Sequence, residues 1–494
     1  MSRRRRQVRD RRDRSRPRLT SVRRLLVTTS PGRAAQRDLA RLAPRSAVID
    51  DPSLMLSYAR DRAEGAAAGA PLAVVLAGDA EDAAAVLSWA SDRGVPVVPR
   101  GAGSGLSGGA NGVDGAVTLV LDRLTAVDEA DPETLTVRAQ AGALTGDVKA
   151  AAARRGLYYP PDPASAAFCT IGGNIATNAG GLCCLKYGVT GDWVQHIDAL
   201  LIDGSPLRVG RRARKDVAGY DLRGLLIGSE GTLAVTTAAT LRLRPASAVP
   251  LTMVATFASL DTAASAVAGI TTCGAVPSML EILDSVTLRA VEEMEPMGLD
   301  PGTAALLVIQ SDANDAEAEL SLVRRACETA GADYAAVASD RLEADMLLHV
   351  RRQAYPALER QGRTLLDDVS VPVPAVAALL RGVHETARRH DVRIGTFGHA
   401  GDGNLHPTIV IPRGDAAAGS RAEKAFAEIL DIALRLDGTV TGEHGVGSLK
   451  VPWLHHSLGP VERRLQAQVK QAFDPQGLLN PGRAILAGTT AASA

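Results

Sequence analysis

Apolar residues along this chain switch between two spacings, and the switch divides it into elements. "PLAVVLA" alternates with period two and predicts a strand; "DAEDAAAVLSWASDRG" has the 3.6-residue spacing of a helix, with Asp79 as its cap and Gly94 as its stop. "VPVVP" then reads as a second strand. "AVTLVLDRL", "TLTVRAQAG", "HIDALLIDGSPLRVG" and "LAVTTAATLRLRP" add further strands, and "LTGDVKAAAARRG" is a helix between two of them. The stretch "LARLAPRSAVIDDPSLMLSYARD" ahead of this block predicts a short helical lead-in.

From about residue 250 the texture changes. "LTMVATFAS", a helix over "LDTAASAVAGITTCG" and "PSMLEILD" make one β-α-β passage, and "TAALLVIQSD", a helix over "AEAELSLVRRACETAG" and "ADYAAVASD" make another. This predicts a ferredoxin-like sheet with helices on one face. "SRAEKAFAEILDIALRLDG" predicts a helix opened by a Ser420/Glu423 capping box, with Phe426, Ile429, Leu430, Ala433 and Leu436 along one face and Gly438 as its stop. "TVT" reads as a strand leading into "GEHGVG".

The charge and composition narrow the function. Formal net charge is zero, 22% of residues are charged and aromatics are 3%, which excludes a function built on a basic surface or on aromatic stacking platforms. No specific nucleic-acid partner is expected. Five cysteines (Cys169, Cys183, Cys184, Cys273, Cys327), with no Cys-x-x-Cys pair, predict a cytoplasmic chain without disulfides or iron-sulfur clusters. The opening "MSRRRRQVRDRRDRSRPRLTSVRR" holds about a dozen arginines against two aspartates. It reads as a solvated tail over 1–40, with surface attraction to anionic lipid or to nucleic acid as its alternative role. No export signal and no membrane span are read.

Chemistry is concentrated at two kinds of motif. In "FGHAGDGNLHPTIV", a two-residue Asp402-Gly403 turn would place His399 directly opposite His406. With Glu443 of "GEHGVG" they offer two nitrogens and one carboxylate, a set that accepts Zn, Mn or Fe(II), and His444 stands beside it. "VPVVPRGAGSGLSGGANG" satisfies G-x-G-x-x-G at Gly103, Gly105 and Gly108, yet turn and strand follow where a dinucleotide-binding Rossmann unit needs a helix. What remains is a loop whose backbone can approach an anion such as a pyrophosphate. "PPDPASAAFCTIGGNIATNAGGLCCLKYG" is a second glycine-rich cradle, with Thr170, Asn174, Thr177 and Asn178 as hydrogen-bonding groups. In "GSEGTLAV", Glu230 can accept from a ribose or cap a turn.

These stretches, in this order, resemble the FAD-binding domain of the vanillyl-alcohol oxidase (PCMH-type) superfamily. "GHAGDGNLH", "GEHGVG" and "FDPQGLLNPGR" are similar to its branch of glycolate oxidase subunits and D-lactate and D-2-hydroxyglutarate dehydrogenases. The resemblance implies an α+β fold: a two-subdomain FAD-binding domain over 41–246, a substrate and metal domain over 247–455, and a segment over 456–494 that returns to the flavin and ends in a disordered, solvated stretch. It implies that Arg100, Gly101, Ala102, Gly103, Ser104, Gly105 and Leu106 hold the FAD pyrophosphate. Pro161, Ser165, Thr170, Gly172, Gly173, Asn174, Thr177, Asn178 and Gly181 would line the flavin and ribityl chain, Glu230, Gly231 and Val235 would lie near the adenosine end, and Asn480 would close over the flavin. His399, His406 and Glu443 match the branch's metal ligands, His444 its base, and Arg351 an arginine that anchors the substrate carboxylate. Ser104 stands where covalent flavoproteins of the superfamily place histidine, so non-covalent FAD is expected. Leu366 stands where members favouring 2-hydroxyglutarate carry lysine, and Val373 where many relatives have arginine; both departures point away from a dicarboxylate. The implied activity is oxidation of a small D-2-hydroxy acid, D-lactate or glycolate, in a homodimer. Reduced flavin would deliver electrons to quinone, electron-transfer flavoprotein, oxygen or a partner subunit. D-2-hydroxyglutarate oxidation and a non-redox FAD-containing synthase are the alternatives.

Overall fold

The computed structural model describes residues 31–213, 215–247 and 249–484. Most of the basic tail and the last ten residues, expected to be solvated, lie outside the described residues. Within the expected tail, Pro31–Leu42 is helical, and the predicted helical lead-in is interrupted by a strand, Ala47–Ile49, before the helix Pro52–Ser57. That strand pairs antiparallel with Ala73–Leu76, so its alternating apolar residues find an edge to complete.

The first half holds two four-stranded sheets. One runs in the order Ala47–Ile49, Ala73–Leu76, Val117–Val120, Val97–Arg100, its last three strands parallel. The helix Ala80–Arg93 crosses between two of these, capped as predicted by the Asp79 carboxylate and ended by Gly94 in the left-handed region. The other sheet is antiparallel, in the order Thr136–Gln140, Val235–Arg242, Val194–Leu200, Pro206–Gly210. Each sheet has its own apolar core.

The second half is built on one antiparallel sheet of eight strands, with Met279–Asp284, Arg393–His399 and Asn404–Ile411 at its centre. Helices cover both faces rather than one. Met253, Ala255 and Phe257 pack beneath Leu260–Thr272, Ala316–Thr329, Val376–His390 and Ala416–Arg435. Val254, Leu306 and Val308 point the other way, against Ser285–Met294, Arg341–Arg352 and Ala354–Gln361. Strands apolar at consecutive positions require this double cover, because both faces must leave water.

Two further expectations are corrected. The long helix starts at Ala416, capped by the Asp415 carboxylate on the Ala418 amide; three alanines extend it past Ser420, which lies inside it. "TVT" forms no strand, only an isolated bridge from Thr439 to Ser370. Towards the end of the chain, the helix Pro460–Phe473 and residues 474–484 lie on the first half. Lys470 donates to the Thr232 carbonyl at 2.6 Å, and the Asn480 amide donates to the Val97 carbonyl.

Candidate active site

The hairpin that carries His399 and His406 is not the predicted one. Arg393–His399 pairs with Asn404–Ile411 so that His399 faces Asn404 and His406 faces Phe397, leaving Ala400–Gly403 as a four-residue loop. The tertiary surroundings override the local preference for a two-residue turn. Gly401 donates to the Leu280 carbonyl at 3.2 Å, and the Gly403 carbonyl accepts from the Val371 amide at 3.1 Å. The histidines are therefore diagonal neighbours on one face, a separation long side chains still bridge. Their rings meet edge to face at 5.1 Å between centroids.

Both Nε2 atoms converge on one oxygen. Glu443 Oε1 lies 3.0 Å from His399 Nε2 and 3.4 Å from His406 Nε2. Behind each ring stands another carboxylate: Glu281 Oε1 is 2.6 Å from His399 Nδ1, and Asp368 Oδ1 is 3.6 Å from His406 Nδ1. His444 stacks on His406 at 4.9 Å, nearly parallel, and its Nδ1 is buried with no hydrogen-bond partner among the described residues, Asp368 Oδ2 lying 4.0 Å away. His399, His406 and Glu443 thus offer one ligand atom each within 4.8 Å of one another, and a carboxylate-backed imidazole is how proteins present Nε2 to a metal. The donor set fits Zn, Mn or Fe(II).

The electrostatics follow the geometry. Burial pushes the His399 pKa down, but the Glu281 and Glu443 carboxylates outweigh it and hold it well above its ordinary value. Burial raises the Glu443 pKa, but His399, His406 and His444 together outweigh it, so this carboxylate stays well below its usual range. His444, chiefly through burial, is pushed down to about 4, which leaves its imidazole neutral near pH 7.

Asp368 and Glu281 are absent from the sequence-based set. Asp368 is fully buried; Oδ2 accepts from the amides of Gly442, Glu443 and His444 at 3.0, 3.0 and 2.8 Å and from the Thr441 hydroxyl at 2.7 Å. It shapes the loop that presents Glu443 and His444. The Glu281 signal was a charge in the middle of the apolar run "MLEIL"; its partners are His399 on the neighbouring strand, 118 residues on, and Arg351 on a helix, 70 residues on.

Arg351, in the last turn of Arg341–Arg352, donates from Nε to Glu281 Oε2 at 2.5 Å and lies 5.0 Å above the Phe397 ring. No group among the described residues accepts from its two terminal nitrogens, and the residue lines a cavity of about 630 Å³. That cavity runs from this cluster into the first half of the chain. Its far walls are the loop Arg100, Gly101, Ala102, Gly103, Ser104, Gly105 and Leu106, the stretch with Ser165, Thr170, Gly172, Gly173, Asn174 and Thr177, and Glu230, Gly231 and Val235. Its volume suits a dinucleotide-sized ligand. Gly103 lies at φ +70°, where a Cβ would strike the Arg100 guanidinium, itself tied to the Ala110 and Arg60 carbonyls. Backbone rather than side chain therefore lines this wall.

Four expected residues stand outside the wall. Pro161 and Gly181 do not line it. Asn178 caps Ile171–Thr177 in the left-handed region and accepts from the Gly191 amide. Asn480 donates to the Gly109 and Glu230 carbonyls, so it ties the C-terminal segment down beside the cavity. Glu230 does line the cavity, but its two oxygens accept from the Val446 and Gly447 amides, both at 2.7 Å. Those two bonds make Glu230 a latch on the loop that carries Glu443.

A cofactor-sized cavity shared by a glycine-lined half and a half bearing three histidines and an arginine defines a cofactor-dependent enzyme. The chain belongs to the FAD-linked oxidase family: residues 71–210 match the FAD binding domain, and residues 247–484 match the FAD linked oxidases, C-terminal domain. It is 39% identical to the glycolate oxidase subunit GlcD of Bacillus subtilis (strain 168), over 84% of this chain and 88% of that protein. It is 33% identical to the D-lactate dehydrogenase of Anaerostipes hadrus, over 90% of this chain and 95% of that one. Among solved structures, 4-ethylphenol oxidase from Gulosibacter chungangensis shares the fold with a TM-score of 0.77 at 17% identity, covering 93% of this chain and 98% of that one. The chain is an FAD-linked oxidoreductase of PCMH-type fold. No helix among the described residues is long and apolar enough to cross a membrane.

Proposed function

We propose that this protein oxidises a small D-2-hydroxy acid, D-lactate or glycolate, to the 2-oxo acid. The observation that carries the reading is the convergence of His399 Nε2 and His406 Nε2 on Glu443 Oε1, beside His444 and Arg351 and at the end of the FAD cavity. When bound, FAD supplies a two-electron acceptor, and a divalent cation held by His399, His406 and Glu443 supplies a Lewis acid.

The protein's own groups do the rest. Arg351 offers its two terminal nitrogens as a fork for the substrate carboxylate, a geometry lysine lacks. His444, kept neutral by burial, accepts the hydroxyl proton. Leu366 and Phe397 also line the cavity, giving a small apolar wall suited to the hydrogen of glycolate or the methyl of D-lactate on the substrate's second carbon. The loop Arg100–Leu106 seats the cofactor's pyrophosphate through backbone, and Ser104 leaves FAD non-covalent. GlcD's name as a subunit supports delivery of electrons to a partner subunit, with quinone, electron-transfer flavoprotein and oxygen as the other acceptors. All five cysteines are free, which supports a cytoplasmic chain; a homodimer and contact of the basic tail with a membrane surface belong to the same reading.

Anaerobic mixing of the flavin-loaded protein with D-lactate, glycolate and D-2-hydroxyglutarate, with and without chelator, tests this. The expected result is bleaching of flavin absorbance by D-lactate or glycolate, slowed by chelator. Absorbance left unchanged by all three acids overturns it.

A further inference from the structure

Glu281 sits at the middle of the central strand Met279–Asp284, where every residue is buried and its own exposure is 0%. A carboxylate there loses its hydration, a cost that only well-made hydrogen bonds and opposite charges offset. It has two such partners, one on each oxygen. Oε1 lies 2.6 Å from His399 Nδ1, and Oε2 accepts from Arg351 Nε at 2.5 Å. The first partner comes from the neighbouring strand, where His399 is directly opposite Glu281; the second comes from the helix Arg341–Arg352 packed over that face.

We propose that Glu281 is a positioning residue that sets the metal-binding nitrogen and the substrate-binding arginine together. The inference rests on the metal and substrate roles proposed above. By accepting from Nδ1, Glu281 holds the His399 ring so that its Nε2, 3.0 Å from Glu443 Oε1, is the nitrogen left to give its lone pair to a cation shared with that oxygen. By accepting from Nε, it fixes the plane of the Arg351 guanidinium and leaves the two terminal nitrogens, which no described group accepts from, for a ligand in the cavity that Arg351 lines. An Arg-carboxylate bond through Nε is what distinguishes this from a simple charge pair, since it orients the fork without occupying it. One buried carboxylate thereby fixes the distance between the cation and the carboxylate anchor, the two points that a 2-hydroxy acid must span.

Glu281→Gln tests this without changing shape. An amide has one acceptor and one donor, so it can serve His399 or Arg351 but must present an N–H to the other. The FAD-loaded protein and the variant are titrated with Zn²⁺ or Mn²⁺ against a competing chelator, and KM and kcat are measured separately. The expected result is a loss of metal affinity of about 10- to 100-fold with flavin absorbance retained, together with a KM raised by more than kcat falls. A role confined to stability would lower the unfolding midpoint and leave metal affinity alone. If Glu281→Gln does not fold, Glu281→Asp decides: it keeps the charge but cannot reach both partners, and the same loss is expected. Metal affinity within twofold of the wild type in a folded variant overturns the proposal. A wild-type protein that takes up no metal would overturn the metal reading itself, which separates the two failures.

Discussion

At the scale of single residues, the site depends on charges that burial makes expensive and neighbours make tolerable. Glu443, Asp368 and Glu281 are each held ionised by histidines, an arginine or backbone amides, although desolvation alone would protonate them. His444 is the exception: burial pushes it down to about 4, so its imidazole is unprotonated at neutral pH. His444→Ala is expected to keep flavin absorbance while turnover falls by roughly 10² or more; turnover close to wild type would remove His444 from the base role. Sequence reasoning found His399, His406, Glu443 and His444 because they stand in short glycine-bounded motifs with few other uses. It passed over Glu281 and Asp368, since a single acid in a strand or turn acquires a role only from partners that distant segments supply.

At the scale of elements, local preference and tertiary demand part company at the turns. Asp402-Gly403 favours a two-residue hairpin, yet hydrogen bonds to Leu280 and Val371 widen the loop to four residues and move His399 out of direct register with His406. The pair still meets, because a diagonal separation on one face is within reach of two imidazoles. The helix cap moved for a similar reason: Asp415 is as good a cap as Ser420, and the alanines between them favour helix. Where tight geometry leaves no alternative, the reading held, as at Asp79 and Gly94. The glycine loop gives a test at this scale. Gly103→Ala adds a side chain at φ +70° and drives it into Arg100, a cost of about 1–2 kcal/mol for the backbone alone. FAD affinity is expected to fall at least tenfold, read by retention of yellow colour on gel filtration, while the metal titration is unchanged.

At the scale of the whole molecule, the two halves must be held in register for one cavity to contain both sets of groups. Asp312 is one clasp. Oδ1 pairs with Lys186 Nζ at 2.5 Å, and Oδ2 accepts from the Tyr187 and Ser247 hydroxyls; Lys186 and Tyr187 belong to the first half. Burial raises the Asp312 pKa, but Lys186 and Tyr187 outweigh it, so the folded value lies below the usual one. The stabilisation is therefore complete above the unfolded pKa of about 3.9 and is lost as pH falls through the lower folded value. Asp312→Asn is expected to lower the urea midpoint at pH 7, and the gap to wild type should close on acidification toward pH 3. A gap independent of pH would show that the ion pair contributes nothing. Glu230 and Asn480 serve the same end from the first half and the C-terminal segment, gripping the loop of Glu443 and the rim of the cavity.

What the amino-acid order determined by itself is the set of elements and the chemical inventory: strands and helices from apolar spacing, a pyrophosphate-sized glycine loop without a following helix, and a histidine-carboxylate set. These are local properties, decided by side-chain type over a few residues. Only the tertiary structure decided that helices cover both faces of the large sheet, that Glu230 latches the loop carrying Glu443, and that Glu281 stands between His399 and Arg351. Those outcomes come from desolvation and hydrogen bonding between segments far apart in the chain, energies that exist only once the strands are side by side.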